Sequence, residues 1–525
     1  MPTGSDGAAR WGTDGAAPAT VVEALRAAMD TVPDRPAVVQ GDMTLTYRQL
    51  GLRVTELAGR LERLGAAGQR VALALPNGPA MAVAVFAGLA ARAQVAPLNG
   101  AYPAAEMRPL LAAADPVAVI TDSAAGTAGR LATERGTPLL VLGAADVTGD
   151  VPLRSPAGLP RGPEPGDLAT LMFTGGTTGV PKGVDHSHRG LMRTVRAMDA
   201  CWPTGSDGEV WLTVAPMFHI WGLLMGLLNP VLTRATVVSL PRFHPAAALE
   251  AMARHRVTVF SGGPAAVYAA LLGAPAEAGE AGVRSTDCLT RLRVCPGGGS
   301  PFPPDLLDRW QRTTGIPIRE AFGMTELAPI TAQPPGRPPR PGTTGLPAPW
   351  VSVRIAADDS AEPLPPGTVG EILARGPHQF LGYRGRPADS AAALTDGWLR
   401  TGDLGFLDED GWLHVVDRKK DMILVGGFNV YPREIDEVLV AHPEVRQSVT
   451  IAVPDPRKGE RPASFVVPEP GRAPDPAGLL AHCAGLLVGY KRPVTVTIVE
   501  RLPLTPANKV DRAALRRCLA ASPPG

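Results

Sequence analysis

The stretch that most constrains this chain runs from position 170 to 183, TLMFTGGTTGVPKG. Apolar Leu171, Met172 and Phe173 read as the end of a strand, and glycines, threonine hydroxyls and a lysine follow at once. Gly175, Gly176 and Gly179 let the backbone approach an anion and turn its N–H groups inward, while Thr174, Thr177 and Thr178 offer hydroxyls and Lys182 a mobile positive charge. A surface turn also favours glycine and threonine, but turn chemistry does not account for a Pro-Lys-Gly ending on such a run. The Walker pattern needs Gly-Lys-Ser/Thr contiguous, and here Val180 and Pro181 separate Gly179 from Lys182. The run therefore reads as a phosphate loop of another kind.

At 525 residues the chain is too long for one ordinary core, so two or more domains are expected. Its 51 Lys+Arg against 50 Asp+Glu give no basic excess of the kind that nucleic acid or an anionic membrane would call for. The cysteines, at 201, 288, 295, 483 and 518, form no CxxC pair and are odd in number. Neither a disulfide framework nor a zinc site is indicated, and a reduced cytoplasm is the expected location. Residues 1–20 lack the basic-then-apolar order of a signal peptide and read as a disordered tail, with order beginning near Val21. Residues 211–233 carry no formal charge, a span long enough to cross a bilayer. Pro216, His219, Asn229 and Pro230 interrupt it and no Lys/Arg asymmetry flanks it, so it reads as a buried loop and helix rather than an integral membrane segment.

Periodicity orders the rest. A helix is expected over 21–29, then strands over 37–40 and 44–47 about the Gly41-Asp42 turn. Leu50, Val54, Leu57, Leu61 and Leu64 form the stripe of a helix lying on a sheet. Strand 70–75, helix 81–93 and strands 94–98, 117–121 and 139–142 continue an alternation that implies an α/β fold of parallel sheets with covered faces. Residues 152–167 read as a linker into the phosphate loop. Beyond it, strand 210–214 ends in Ala215-Pro216-Met217-Phe218-His219, and strand 236–239, helix 246–255 and strand 257–260 lead to Ser261-Gly262-Gly263-Pro264. A strand over 292–295 runs into Pro296-Gly297-Gly298-Gly299-Ser300, placing glycines at a carboxyl end where a nucleotide can lie flat. Strands over 351–355 and 371–374 begin a further sheet. The five charges at 417–421 separate apolar strands, after which strands 422–425, 449–453, 463–467 and 494–499 and helices 478–488 and 511–519 make a small α+β domain.

In this order the motifs resemble those of the adenylate-forming superfamily, which includes acyl-CoA synthetases, aryl-CoA ligases, firefly luciferases and peptide-synthetase adenylation domains. The run at 174–183, the aromatic-Gly-x-Thr-Glu motif at Phe322-Gly323-Met324-Thr325-Glu326, the Thr401-Gly402-Asp403 triplet and the tail Leu502-Pro503-Leu504-Thr505-Pro506-Ala507-Asn508-Lys509 carry the likeness, which spans about residues 21–519. Gly175 stands where serine is frequent, and Asn508 where glycine is usual. The resemblance implies a large N-terminal domain over 21–416, of parallel-type sheets covered by helices plus a β-subdomain, a hinge at 417–421 and a small mobile α+β C-terminal domain over 422–525.

The residue roles follow from the same likeness. Lys182 and the threonines would hold the leaving pyrophosphate. Gly298, Gly299 and Ser300 would line adenine, with Phe322 and Gly323 against its face; Thr325 would donate to the α-phosphate. Glu326, with Thr174, would offer hard oxygens to Mg²⁺. Asp403 would grip both ribose hydroxyls, a bidentate acceptor suiting a diol, with Arg418 touching the ribose. His219 would face the substrate carboxylate, Lys509 would bridge charge at the α-phosphate, Lys420 would absorb the hinge rotation, and Gly426, Gly427 and Phe428 would serve the thiol.

The implied reaction is activation of a hydrophobic carboxylic acid, a medium- or long-chain fatty acid or a bulky apolar acid, by Mg-ATP to acyl-AMP, then transfer to coenzyme A. Gly262, Gly263, Gly298 and Gly323 would leave room for the acyl group, which Trp221 and Met324 would shorten. An acyl-AMP ligase that loads an acyl carrier protein shares the first half-reaction. A luciferase-type oxygenase or a non-catalytic nucleotide-binding module would need features or losses that these residues do not display. A homodimer stays open.

Overall fold

The computed structural model describes residues 18–143, 146–147, 159–174, 181–205, 208–274, 287–357, 362–505 and 510–521. Gly175, Gly176, Thr177, Thr178, Gly179 and Lys509 lie outside the described residues, as do most of the tail and of the linker. By compactness the chain divides into two units, Met1–Ser352 with Arg375–Leu399, and Val353–Ala374 with Arg400–Gly525.

The first unit is built on two large sheets. The seven-stranded sheet has the order Gly382–Tyr383, Lys182–Ser187, Leu168–Thr174, Gln94–Pro97, Arg70–Ala74, Ala118–Thr121 and Leu139–Val141. From Leu168–Thr174 onward the neighbours run parallel, and the first two pairings are antiparallel. Strands Gln94–Pro97 and Ala118–Thr121 are buried at every residue, as parallel strands covered on both faces must be. The helix Pro79–Ala90 is apolar all round and buries eleven of its twelve residues, so it lies in the interior rather than on the surface. Helix Tyr47–Arg63 begins with a Thr46–Gln49 capping box and buries Leu50, Val54, Leu57 and Leu61. Leu64, expected in that stripe, is instead the C-cap and is exposed.

The second sheet runs Val259–Phe260, Val210–Thr213, Thr236–Ser239, Pro36–Gln40 and Met43–Thr46, parallel except at the last pairing. The uncharged span 211–233 becomes the end of one of these strands and three short helical turns, Ile220–Leu223, Leu224–Leu228 and Asn229–Leu232. Among the described residues no helix is long and apolar enough to cross a membrane.

A four-stranded sheet follows: Pro296–Gly298, Arg319–Met324, Leu327–Ala332 and Leu346–Pro347. Here the structure corrects the strand expected over 292–295. The strand is Pro296–Gly298 itself, so Gly297 and Gly298 lie within it. Packing explains the shift, because a Cβ on Gly297 would come within 2.7 Å of Ile318 and Phe302. The pairing of Met324 with Leu327 makes Thr325 and Glu326 the tip of a tight hairpin.

The second unit holds most of strands Ser352–Ala356, Gly370–Arg375 and Trp398–Leu407 and all of Leu413–Arg418, then a sheet ordered Phe428–Val430, Ile423–Val425, Gly459–Pro468 and Val445–Asp455, with Val496–Ile498 parallel to Gly459–Pro468. One core joins Ile423, Val425, Ile435, Leu439 and Val466 to Leu479 and Cys483. Another joins Val449, Ile451, Phe465 and Val467 to Leu502 and Leu515. Residues 417–421 lie inside this unit.

Candidate active site

Lys182 opens the strand Lys182–Ser187, opposite Thr174 on one side, while Tyr383 pairs with Val184 on the other. Polar groups fix that register. Arg384 Nη2 donates to Gln94 Oε1 at 2.7 Å, and Gln94 Nε2 donates to Asp185 at 2.7 Å. The backbone N–H of Arg384 donates to the Gly183 carbonyl at 2.8 Å.

The result is that the Tyr383 side chain sits between two charges. Its hydroxyl donates to Glu326 Oε1 at 2.7 Å, and the Lys182 ammonium lies 4.8 Å from its ring centroid, a cation–π contact. Lys182 Nζ also donates to Asp389 Oδ1 at 2.7 Å, and Arg386 Nη1 stands 3.5 Å from the other oxygen of Asp389. Glu326 is only 5% exposed although it occupies a hairpin tip, because Phe380 N–H donates to its carbonyl and Tyr383 covers its carboxylate. Burial raises its carboxyl above the usual range, and the Tyr383 hydrogen bond and the Lys182 charge act against that.

His186 fixes the other residue of the tip. Burial lowers its ring to about 4, so it is neutral near pH 7. A carbonyl cannot donate, which makes Nε2 the protonated nitrogen: it donates to Thr325 O at 2.8 Å, while Nδ1 accepts from Thr170 Oγ1 at 3.2 Å. Thr174 Oγ1 donates to the Lys182 carbonyl at 3.4 Å.

His219 caps the turn Ile220–Leu223, its Nδ1 accepting from Trp221 N–H at 3.3 Å. Asn77 braces the preceding loop from both sides, donating to Ala215 O at 2.9 Å and accepting from Met217 N–H at 2.8 Å. The Trp221 indole packs edge-on against Trp202, with centroids 5.7 Å apart. It also fills the space beside Gly263 and Gly298, where an added Cβ would lie 3.3 Å from the indole in each case. Gly262 faces Phe260 and Tyr268 instead, and Gly323 faces Ala328. Of the four glycines expected to open an acyl pocket, two therefore border the indole and two pack on neighbouring residues. Gly299 has φ +82, and the Ser300 hydroxyl accepts from Ala265 N–H at 3.0 Å. Phe322 is half-buried and Gly323 exposed.

In the second unit, Thr401-Gly402-Asp403 is held as a shaped turn. Thr401 Oγ1 donates to Ile372 O at 2.8 Å and accepts from Asp403 N–H at 3.1 Å, and Gly402 N–H donates to buried Glu371 at 3.3 Å. Asp403 pairs across strands with Arg418, whose Nε is 3.5 Å from its carboxylate. Burial lowers the Lys420 ammonium, with Arg418 adding to the effect. Gly426 and Gly427, at φ +59 and +89, turn the chain into Phe428, which is exposed and stacked on Tyr490 at 4.6 Å.

The donor set fits a Mg²⁺ held by one protein carboxylate and completed by waters and substrate phosphates. Among the described residues no group of three His, Cys, Asp or Glu could cage a metal. Glu326 is a single buried hard-oxygen donor beside a cation suited to phosphate, and Mg²⁺ commonly takes one or two carboxylates, waters and substrate phosphates.

The sequence matches the AMP-binding enzyme model over residues 25–384 and the AMP-binding enzyme C-terminal domain over 434–509. It is 38% identical over 492 residues to a feruloyl-CoA synthase of Amycolatopsis, covering 92% of this chain and 96% of the relative. It is 32% identical to a long-chain-fatty-acid–CoA ligase of Salmonella typhimurium, covering 95% and 94%. The crystal structure of ATP-bound MatB from Rhodopseudomonas palustris superposes with a TM-score of 0.86 at 30% identity, over 95% of this chain and 99% of that one. Built on the same fold and sharing both family domains, the chain belongs to the AMP-binding enzymes, in the acyl-CoA synthetase branch of the adenylate-forming superfamily, and is an ATP-dependent, AMP-forming ligase.

Proposed function

We propose that this chain activates a hydrophobic carboxylic acid as acyl-AMP and transfers the acyl group to coenzyme A. The observation that carries the reading is the Lys182–Tyr383–Glu326 constellation: a lysine cation and a buried carboxylate held on opposite parts of one tyrosine. In-line attack of a carboxylate on the α-phosphate needs charge stabilisation more than a covalent nucleophile. Lys182 would meet the leaving pyrophosphate, Thr325 the α-phosphate, and Asp403 the ribose hydroxyls. Mg²⁺, held by Glu326, would neutralise charge on the phosphate oxygens. Lys509 would attend the reacting centre in the first half-reaction.

Within the hydrophobic acids, Trp221 favours a flat, compact acyl group over a long flexible chain, since its indole takes the space beside Gly263 and Gly298. A feruloyl-type arylpropenoate suits such a wall better than a long saturated chain. The test is ATP–pyrophosphate exchange across a panel of aryl, medium-chain and long-chain acids with acetate as reference. Each methylene equivalent buried contributes about 0.8 kcal/mol, so hydrophobic acids should outrun acetate by well over tenfold. Preference for acetate would refute the reading.

A further inference from the structure

Lys182 has two partners within the protein. Its ammonium donates to one oxygen of Asp389 at 2.7 Å while resting over the Tyr383 ring. The two side chains are 30% and 38% exposed, so an incoming anion can reach the pair. Asp389 has a second cation at hand, since Arg386 lies 3.5 Å from its other oxygen. If the lysine moves away, the carboxylate keeps a counter-ion in Arg386. Lys182 also holds the Asp389 carboxyl below its ordinary range, so it stays ionised.

We propose that Asp389 is a built-in stand-in for phosphate, holding Lys182 until a polyphosphate takes its place. Asp389 is then a positioning residue that acts through Lys182. Its cost is affinity: every pyrophosphate or ATP that recruits Lys182 must first break an ion pair. This rests on the proposed phosphate role of Lys182.

The test measures binding of inorganic pyrophosphate and of ATP to the full chain by calorimetry, independent of turnover. Asp389→Asn should tighten both by roughly two- to fivefold, the range expected for a partly exposed ion pair. Asp389→Glu, which keeps the charge and the pair, should return affinity to that of the parent. Asp396→Asn, which removes an exposed charge of the same unit that is not part of the Lys182–Asp389–Arg386 cluster, should leave it unchanged. Unchanged or weaker binding in Asp389→Asn overturns the proposal, as does equal tightening in Asp396→Asn, which would trace the effect to net charge. A parent protein that binds neither pyrophosphate nor ATP would refute the functional reading itself.

Discussion

The Tyr383 hydroxyl donates to the Glu326 carboxylate at 2.7 Å and so gives that buried acid a side-chain hydrogen-bond partner. Tyr383→Phe keeps the ring under Lys182 and removes only this donor. A buried charged group that loses a partner costs roughly 1–3 kcal/mol, so acyl-AMP formation should slow by about ten- to a hundredfold. The Mg²⁺ concentration for half-maximal rate should rise as well, which a general loosening of the fold would not produce. An unchanged Mg²⁺ requirement would sink the assignment of Tyr383 as the support of Glu326.

Trp221→Ala should lengthen the preferred acyl chain. Removing the indole vacates the space beside Gly263 and Gly298 without touching Lys182, Tyr383 or Glu326. In competition, a ten- or twelve-carbon acid should gain at least tenfold on an arylpropenoate, since two additional buried methylenes contribute about 1.6 kcal/mol. Equal losses for all acids would mean that the indole supports the fold rather than the acyl wall.

Acid stability offers a check on the buried histidines. His188 is fully buried and neither ring nitrogen has a hydrogen-bond partner among the described residues; burial lowers its ring to about 4, against a weaker opposing pull from Asp167. A ring that stays neutral in the fold but protonates near 6.5 when unfolded stabilises the fold above that pH. The contribution is lost as pH falls from about 6.5 to about 4. His188→Leu removes this dependence and leaves no unsatisfied polar group. In urea unfolding at pH 7 and pH 5 the variant should lose about 2 kcal/mol less than the parent over that interval. An identical loss in both proteins would show that His188 is not held neutral.

Much of the fold was legible because its strands and helices obey strong local rules. Strand 236–239 was expected over the very residues that form it, and the Leu50–Leu61 stripe marks the buried face of its helix. Local pattern places a strand at 292–295 rather than at Pro296–Gly298 because glycine carries no strand preference; what puts Pro296–Gly298 in a strand is the close approach of Ile318 and Phe302, which no local pattern encodes. The site divides in the same way. Lys182 and Glu326 sit in recognisable motifs, whereas Tyr383, Asp389, His186 and Asn77 belong to none. Each of the four reaches a partner more than fifty residues away in sequence, Asp389 meeting Lys182 across 207 positions and Asn77 meeting Met217 across 140. Only the sheet register and loop packing bring such pairs together.

The final prediction separates the two half-reactions. Lys509 and Gly427 both lie in the C-terminal portion, yet the chemistry asks different things of them. One must supply positive charge as acyl-AMP forms, and the other must leave space for a thiol to reach the acyl carbonyl. Gly427 suits the second role: its φ of +89 excludes most side chains, and nothing lies within 4 Å of where a Cβ would be. Lys509→Ala should abolish acyl-AMP formation while sparing conversion of supplied acyl-AMP and coenzyme A to thioester. Gly427→Trp should do the reverse, its indole filling that open space. Gly427→Asn, which tolerates positive φ and stays small, should keep most of both activities and so separate backbone strain from obstruction. If Lys509→Ala and Gly427→Trp depress both half-reactions in equal proportion, one rigid arrangement serves both steps and the proposed turning of the small domain about Lys420 is wrong.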